Sequence, residues 1–279
     1  MKAPNSPWFG LPSSRNPTII PVMGTRSEEG PDASVRSRLP RSVLVTGASG
    51  GIGQAVSRAF GGAGCRVGVH YHKARASADA VLTQIEQAGG SGALYEADIR
   101  DAHAVRHMVT VFSRNSPPPL CFVCAAGVGG SQLVLKLHEG EWADIMATNL
   151  TGLFHCLRAM APPLRAQGGG SIVVVGSYAG GQGTAGQAAY AASKAGMVGL
   201  VKTAALEWGS DDICVNLVWP GWQRTKLAEG AIDGKVDWRD HVLRRPPSLD
   251  EVVQTVIHLA RMKDVSGQVW NCDSRSLAL

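Results

Sequence analysis

The feature that most constrains the fold is an alternation of two kinds of segment that begins at Arg41. Short apolar runs typical of buried strands alternate with longer segments whose apolar residues recur at helical spacing. Strands joined by helices predict a doubly wound α/β domain, with one parallel sheet and helices on both faces. The sheet is predicted to have seven strands, from RSVLVTG, RVGVHY, GALYEADI, LCFVCAAG, SIVVVG, ICVNLVWPG and GQVWNCD.

The composition fits one domain of this kind and disfavours several other classes. Charged residues make up 18% of the 279 residues, below the roughly 25% of average soluble domains, as expected for a sheet covered on both faces. The net charge of +5 is scattered rather than gathered in a basic run, so no nucleic-acid partner is predicted. No window has the ~18 consecutive apolar residues of a membrane span, and the cysteines lack the spacing of a disulfide framework. We therefore expect a cytoplasmic protein with no membrane partner.

Residues 1–40 differ from the alternating pattern that follows. They contain seven of the 15 prolines and no sustained apolar period, which predicts a disordered extension before a single domain at 41–279. Up to Ser27 this extension has basic but no acidic residues. An organelle-targeting peptide is therefore an alternative to a dispensable tail or to a true start at Met23.

A glycine-rich turn follows the first predicted strand in the stretch VLVTGASGGIG. Gly47, Gly51 and Gly53 stand between the strand and the first helix, where glycine permits a tight turn and a close approach to a pyrophosphate. The free amides at the start of the helix attract anions. Together with Ser49 and Ile52, these glycines form the predicted phosphate-binding part of a dinucleotide site.

The end of the second predicted strand bears on the choice between NAD and NADP. An acidic residue there would bind the ribose 2′-hydroxyl and repel a 2′-phosphate. The sequence instead has Tyr71, His72, Lys73 and Arg75, so we predict NADP(H) over NAD(H). After the third strand come two further predicted cofactor contacts, Asp98 and Ile99, and the Asp98 carboxylate is suited to bind the adenine amino group.

The candidate catalytic residues come from three separate segments. Tyr190 and Lys194 occur in YAASK inside a helical pattern, and their separation by four residues places both on one face. A fixed ammonium stabilises the phenolate and brings the phenol toward a pKa useful for proton transfer, while the lysine also reaches ribose hydroxyls. Ser177 follows the strand SIVVVG and is suited to bind a substrate carbonyl oxygen. Asn149, in MATNLTG, is suited to bend its helix and to hold a water near Lys194.

Taken together, these motifs resemble the short-chain dehydrogenase/reductase family over residues 41–279. The resemblance implies a Rossmann-type domain in which Tyr190 is the general acid, Ser177 orients the carbonyl and Lys194 holds the ribose. It also implies a proton relay supported by Asn149 and a homo-oligomer, either a tetramer or a dimer. Further cofactor contacts are implied at Tyr190 and Lys194 themselves, at Gly127 of CAAG and, in the turn WPGWQRT, at Pro220 and at Thr225, which would bind the nicotinamide carboxamide.

Within the family, the stretches GEWADIMATNL and GSYAGGQGTAGQAAYAASKAGMVGL most resemble the 3-oxoacyl-(acyl-carrier-protein) reductases and related carbonyl reductases. The implied reaction is NADPH-dependent reduction of a ketone, first of all a 3-oxoacyl thioester, with acyl carrier protein as a candidate partner. A reductase of cyclic or aromatic carbonyls is one alternative. A cofactor-binding sensor or scaffold without turnover is another.

The sequence departs from the family pattern at several places. CAAG stands where the family usually has NNAG, and Asp273, Ser274 and Arg275 stand where it usually has Asp-Gly-Gly. Positions at which carrier-protein reductases use basic residues hold Gly168 and Asp211. Other basic residues surround the predicted substrate lid at 222–247 and are candidates for the same task, namely Arg224, Lys226, Arg239, Arg244 and Arg245.

Three residue pairs allow more than one interpretation. Trp219 and Trp222 flank the turn near the expected nicotinamide, where they either cover the cofactor pocket or favour a flat substrate. Cys121 and Cys124 form a CxxC pair, but a separation of three within a strand puts their side chains on opposite faces. His103 and His107 lie one helical turn apart, but no third metal ligand is evident near them in the sequence. We therefore interpret them as part of an ordinary helix surface and predict no metal there.

Overall fold

The structure is a computed structural model that describes residues 39–225 and 238–275. Within these residues the chain forms one sheet of seven parallel strands, so the predicted sheet is confirmed. Most of the predicted N-terminal extension, and residues 226–237 of the predicted lid, lie outside the described residues. The strands are β1 (Ser42–Thr46), β2 (Arg66–Tyr71), β3 (Ser91–Glu96), β4 (Leu120–Cys124), β5 (Gly170–Val175), β6 (Ile213–Trp219) and β7 (Val269–Asn271). They lie side by side in the order β3-β2-β1-β4-β5-β6-β7.

Helices follow the strands as the alternation predicts. A π-helical turn at Ala147–Thr151 connects the helix Glu139–Met146 to the helix Gly152–Ala166. The α-helices are α1 (Gly51–Gly62), α2 (Arg75–Gln87), α3 (Ala102–Arg114), α4 (Glu139–Met146), α5 (Gly152–Ala166), the single turn α6 (Ala179–Gln182), α7 (Ala188–Trp208) and α8 (Leu249–Arg261).

The sheet separates two apolar cores, as its nearly uniform burial requires. One face packs against α3, α5 and α7, with Phe112 and Phe122 among its buried residues. The other face packs against α1, α2 and α8 and contains Phe60. Cys121 lies in the second core and Cys124 in the first, so the predicted opposite orientation of this pair is confirmed.

The strand order brings loops from distant parts of the chain to one edge of the sheet. After β1 the chain builds β2 and β3 on one side and then crosses to β4 on the other side, so the order reverses between β1 and β4. In parallel sheets, ligands bind outside the carboxyl ends of the strands at such a reversal. The loops after all seven strands therefore reach the same edge, where the candidate site residues lie.

Two further findings concern the described residues. None of their helices is long and apolar enough to cross a membrane. Their His, Cys, Asp and Glu side chains form no group of three that could hold a metal ion. Both His103 and His107 are exposed on α3, which confirms their placement on a helix surface.

Candidate active site

The turn between β1 and α1 has the backbone conformation that its glycines predict. Gly47 has φ +67°, and a Cβ added there would lie 2.6 Å from the Ala126 Cα atom. A Cβ at Gly53 would lie 2.2 Å from the Gly47 carbonyl oxygen. Side chains at these positions would therefore overlap backbone, and only glycine lets the turn pack closely against the loop after β4.

His70 supports this turn, although the sequence analysis did not single it out. Its Nδ1 accepts a hydrogen bond from the Gly47 amide at 2.9 Å, and its Nε2 lies 3.0 Å from the Ala97 carbonyl oxygen. Burial lowers the pKa of His70 to about 4. The ring is therefore neutral, with the proton on Nε2, and it ties the turn after β1 to the loop after β3.

The first half of the cleft runs beside the loops after β1, β2 and β3 and has a volume of about 750 Å³. The predicted residues that line it are Gly47, Ser49, Tyr71, His72, Lys73, Asp98, Ile99 and Gly127. The Tyr71 hydroxyl donates to Glu96 Oε2 at 2.9 Å, and this bond raises the pKa of the phenol. Tyr71 therefore contributes to the wall with its hydroxyl already engaged.

Asp98 is also engaged by a neighbour that the sequence analysis did not identify. Arg100 donates to its carboxylate from the backbone amide, from Nε and from Nη2, the last at 2.7 Å. These hydrogen bonds lower the pKa of Asp98 to about 2. The carboxylate is ionised at neutral pH, and an adenine amino group would have to share it with Arg100.

The second half of the cleft, about 250 Å³, brings together three of the four predicted catalytic side chains. Ser177 lies after β5, whereas Tyr190 and Lys194 lie on one face of α7. Burial raises the pKa of Tyr190, and a hydrogen bond with Ser177 partly offsets that rise. The phenol therefore keeps its proton at neutral pH, which suits a group that donates one.

Lys194 is buried beside this phenol, and among the described residues most of its hydrogen-bonding capacity is unused. Its side chain donates to the Val175 carbonyl oxygen at 3.2 Å, and its Nζ lies 5.5 Å from the centre of the Tyr190 ring. Burial lowers the pKa of Lys194 to about 8. An ammonium group has three N–H donors, so two remain for acceptors that enter the cleft.

Asn149 lies in the π-helical turn, so the predicted interruption of its helix is present. Its Oδ1 accepts from the Val128 amide at 2.8 Å, and its Nδ2 donates to the Val128 carbonyl oxygen and to Ser193 Oγ. A Cβ at Gly127 would lie 3.1 Å from Asn149 Oδ1 and 3.7 Å from Lys194 Nζ. Asn149 thus fixes the loop after β4 against α7, and its water relay remains a prediction.

The turn after β6 closes the second half of the cleft. Pro220 and Thr225 line it, and a Cβ on Gly51 would lie 2.4 Å from Thr225 Cγ2. The structure separates the two tryptophans. Trp219 is buried in the core beneath Gly181, whereas Trp222 lines the cleft and packs edge-on against Trp238 at 5.6 Å.

The structure thus gathers most of the predicted site residues around one continuous cleft. Its two halves share Ala125, Gly127 and Gly129. Ile52 joins the catalytic residues in the second half. Three predicted residues do not line the cleft: Gly51 and Gly53 act through the packing of the turn, and Asn149 acts through the loop after β4.

This cleft fits a nicotinamide dinucleotide. Its combined volume is in the range of ligand-binding clefts, and the glycine turn opens a helix whose first amides suit a pyrophosphate. The spare donors of Lys194 lie between the two halves, beside Gly127, where they suit ribose hydroxyls.

Comparison with known proteins agrees with this geometry. The sequence matches the short chain dehydrogenase family over residues 41–235. It is 33% identical over 235 residues to a 3-oxoacyl-(acyl-carrier-protein) reductase of Staphylococcus epidermidis, covering 82% of this chain and 95% of the relative. It is 34% identical over 237 residues to the enzyme of that name from Synechocystis, covering 82% and 94%.

Solved structures show the same similarity. A putative short-chain alcohol dehydrogenase from Sinorhizobium meliloti superposes with a TM-score of 0.79 at 27% identity, covering 84% of this chain and 95% of the other. An actinorhodin polyketide ketoreductase variant solved with NADPH gives a TM-score of 0.77 at 29% identity, covering 83% and 95%. The chain therefore belongs to the short-chain dehydrogenase family, whose members bind nicotinamide cofactors, and it is an oxidoreductase that acts on C=O and CH–OH groups.

Proposed function

We propose that the protein is an NADPH-dependent ketone reductase whose substrate is a 3-oxoacyl thioester or a related ketone. The observation that carries the proposal is the convergence of Ser177, Tyr190 and Lys194, from separate segments, on one cleft that continues to the glycine turn. The curated relatives are named as 3-oxoacyl-(acyl-carrier-protein) reductases, which supports the thioester as substrate class.

In this proposal the substrate carbonyl oxygen lies between the hydroxyls of Ser177 and Tyr190. A bound nicotinamide dinucleotide supplies the hydride. As the carbonyl oxygen gains negative charge, Tyr190 donates its proton to that oxygen and Ser177 donates a hydrogen bond. Lys194 holds the ribose and stabilises the phenolate left behind, while Asn149 keeps the loop after β4 in place and supports the return of a proton from solvent.

Preference for NADPH rests on the side chains after β2. His72 and Lys73 line the first half of the cleft, and no carboxylate follows β2 directly. Glu96, at the end of β3, accepts a hydrogen bond from Tyr71 and is not part of the cleft wall. The Asp98 carboxylate does line the wall, 3.8 Å from His72 Nε2, so the positive charge that a 2′-phosphate would meet is that of Lys73.

The proposal of a carrier-protein partner rests on the charges at the surface. Asp211 forms a 2.6 Å ion pair with Arg165 and neutralises its charge, so this pair offers no net positive charge to an acidic carrier protein. Arg224, Arg244 and Arg245 are exposed near the turn after β6 and are the candidates for that contact, and we propose a homo-oligomer as the working state. Because Trp222 lines the cleft, reduction of cyclic or aromatic ketones is the second candidate.

The test is a screen of cofactor oxidation with purified protein. Acetoacetyl-CoA, acetoacetyl-(acyl carrier protein), cyclic ketones and aromatic ketones are compared, each with NADPH and with NADH. We expect turnover of a thioester with a lower KM for NADPH. Preference for a ring ketone would favour the second candidate. Tight NADPH binding without oxidation by any ketone would contradict a reductase and favour the sensor.

A further inference from the structure

Two cationic side chains line the second half of the cleft, here called the catalytic half because it contains Ser177, Tyr190 and Lys194. Of the described residues that line this half, two carry a charge, Lys194 and Arg275, and none is a carboxylate. Lys194 is assigned to the cofactor and the phenol in the proposed mechanism. Arg275 has no task there, and it stands at a position where the sequence departs from the family pattern.

The guanidinium of Arg275 is held in one orientation. Nε donates to Asp273 Oδ2 at 2.9 Å, Nη2 donates to the same oxygen, and the Arg275 amide donates to Oδ1 at 3.0 Å. The Tyr178 ring lies against the guanidinium, with its centre 3.9 Å from Cζ. Charge pairing and ring stacking both restrict this side chain, and arginine is the residue suited to both at once.

The Asp273 carboxylate that pairs with Arg275 is itself held in place by burial and by a neighbouring histidine. The Asp273 side chain is completely buried, and His241 Nε2 lies 3.2 Å from Oδ1. The Arg275 side chain, by contrast, is 25% exposed. The bonds to Asp273 use Nε and Nη2, and no residue of the described part of the chain accepts from Nη1, which leaves Nη1 for another acceptor. A guanidinium oriented by a buried carboxylate, with one edge toward a cleft, is a preorganised receptor for an anion.

We infer that Arg275 binds a carboxylate of the substrate, so that the preferred ketone or oxoacyl group itself carries an acid. The inference rests on the proposed function and deepens it. Ser177 and Tyr190 bind the carbonyl oxygen, and Arg275 binds the acid in the same cavity. The carboxylate recognises the substrate and takes no part in the chemical step.

The test compares keto acids with their methyl esters. A series with one to four carbons between ketone and carboxylate is assayed at saturating NADPH, each acid beside its ester. We expect kcat/KM for the best acid to exceed that for its ester, mainly through KM. In Arg275→Gln the acid should lose on the order of 10- to 100-fold in kcat/KM, as when a charge-assisted hydrogen bond is lost, and the ester should change little.

Two variants set the controls. Arg275→Lys keeps the charge but loses the planar fork, so it should retain part of the preference for the acid. Arg114→Gln removes an exposed arginine at the end of α3, outside the cleft, and should leave the preference intact. Equal losses for acid and ester in Arg275→Gln would show a structural role and overturn the inference. A rise in the NADPH Kd of Arg275→Gln would assign the arginine to the cofactor and also overturn it.

Folding and the proposed function are tested separately. Arg275→Gln leaves Asp273 buried without its partner, so the double variant Asp273→Asn/Arg275→Gln is measured as well, and it should lose the preference while unfolding in one cooperative transition. Calorimetric binding of each acid and ester to the NADPH-loaded protein gives a readout independent of turnover. Acid-selective binding without reduction would contradict only the proposed function. Equal binding of acid and ester by the wild type would contradict the inference.

Discussion

The two halves of the cleft are built in different ways. The first half of the cleft, here called the cofactor half, is lined by residues at or after the ends of β1 to β4 and by residues of α4, and the φ of Gly47 and the start of α1 set the shape of its turn. The catalytic half is assembled from side chains that follow β5, β6 and β7 or lie on α7, such as Tyr190, Trp222 and Arg275. Changes in the first half should therefore alter cofactor affinity and folding, and changes in the second should alter rate and substrate choice.

The largest expected effect is in the catalytic half. Tyr190→Phe removes the proton donor and keeps the ring, so kcat should fall by roughly 10²- to 10⁴-fold, the usual contribution of a general acid. The NADPH Kd should stay within about twofold because no phosphate contact is lost. Stopped-flow reduction and fluorescence binding measure the two quantities.

The matched control for that change is Tyr95→Phe. Tyr95 is buried on β3 and packs edge-on against Phe112, outside the cleft. Its removal should leave kcat near the wild-type value. Turnover by Tyr190→Phe at a rate close to that of Tyr95→Phe would contradict the assignment of the acid.

The next largest effect should come from the cofactor half. Gly47→Ala places a Cβ 2.6 Å from backbone at a residue with φ +67°, so the variant should lose about 1–3 kcal/mol of unfolding free energy and bind NADPH on the order of tenfold more weakly. Denaturant titration and calorimetry test this. Gly62→Ala, where a Cβ would meet open space at the end of α1, should be neutral or stabilising by up to ~1 kcal/mol. Similar losses in both variants would argue against a special conformation at Gly47.

A smaller effect should appear at the adenosine end. Lys73→Gln removes a positive charge from the wall of the first half and should raise the KM for NADPH by about tenfold while the KM for NADH stays constant. Lys263→Gln, an exposed lysine outside the cleft, is the control. An equal rise for the two cofactors would place the 2′-phosphate elsewhere.

The smallest effect is a dependence on pH. Burial favours the neutral amine of Lys194 and lowers its pKa to about 8, so the ammonium is present below that pH and is lost as the pH rises through it. The kcat/KM for NADPH should therefore be halved near pH 8 and fall by about tenfold per further unit. Lys194→Arg stays charged and should remove most of this decrease in kcat/KM at high pH. If the decrease is unchanged in that variant, a group other than Lys194 causes it.

The features that the sequence could predict are those that depend on spacing over a few residues. The seven-stranded sheet, the glycine turn and the pairing of Tyr190 with Lys194 follow from local spacing, since strand periodicity, turn chemistry and helical pitch act over a few residues. The meeting of Ser177 with α7 also followed, because a strand end and a helix face are both predictable from such patterns.

Contacts between distant segments were harder to predict. His70 belongs to a strand whose pattern indicates only burial, yet it hydrogen-bonds Gly47, 23 residues away. Arg275 was recognised as a departure from the family pattern, but its place in the cleft depends on Asp273 and Tyr178. Trp219 and Trp222 are three residues apart and take opposite roles because the strand ends between them. Such packing is set by the tertiary fold rather than by local spacing.

The measurement that tests the central claim most directly follows the transferred hydrogen. The protein is given the best ketone of the screen together with NADPH that carries deuterium in place of the transferable hydrogen, and the alcohol is examined by mass spectrometry and NMR. We predict one deuterium on the new carbinol carbon in a single configuration, with label transfer strongly reduced in Tyr190→Phe. Tight NADPH binding with no deuterium in any product would contradict hydride transfer and leave a cofactor-binding protein without turnover.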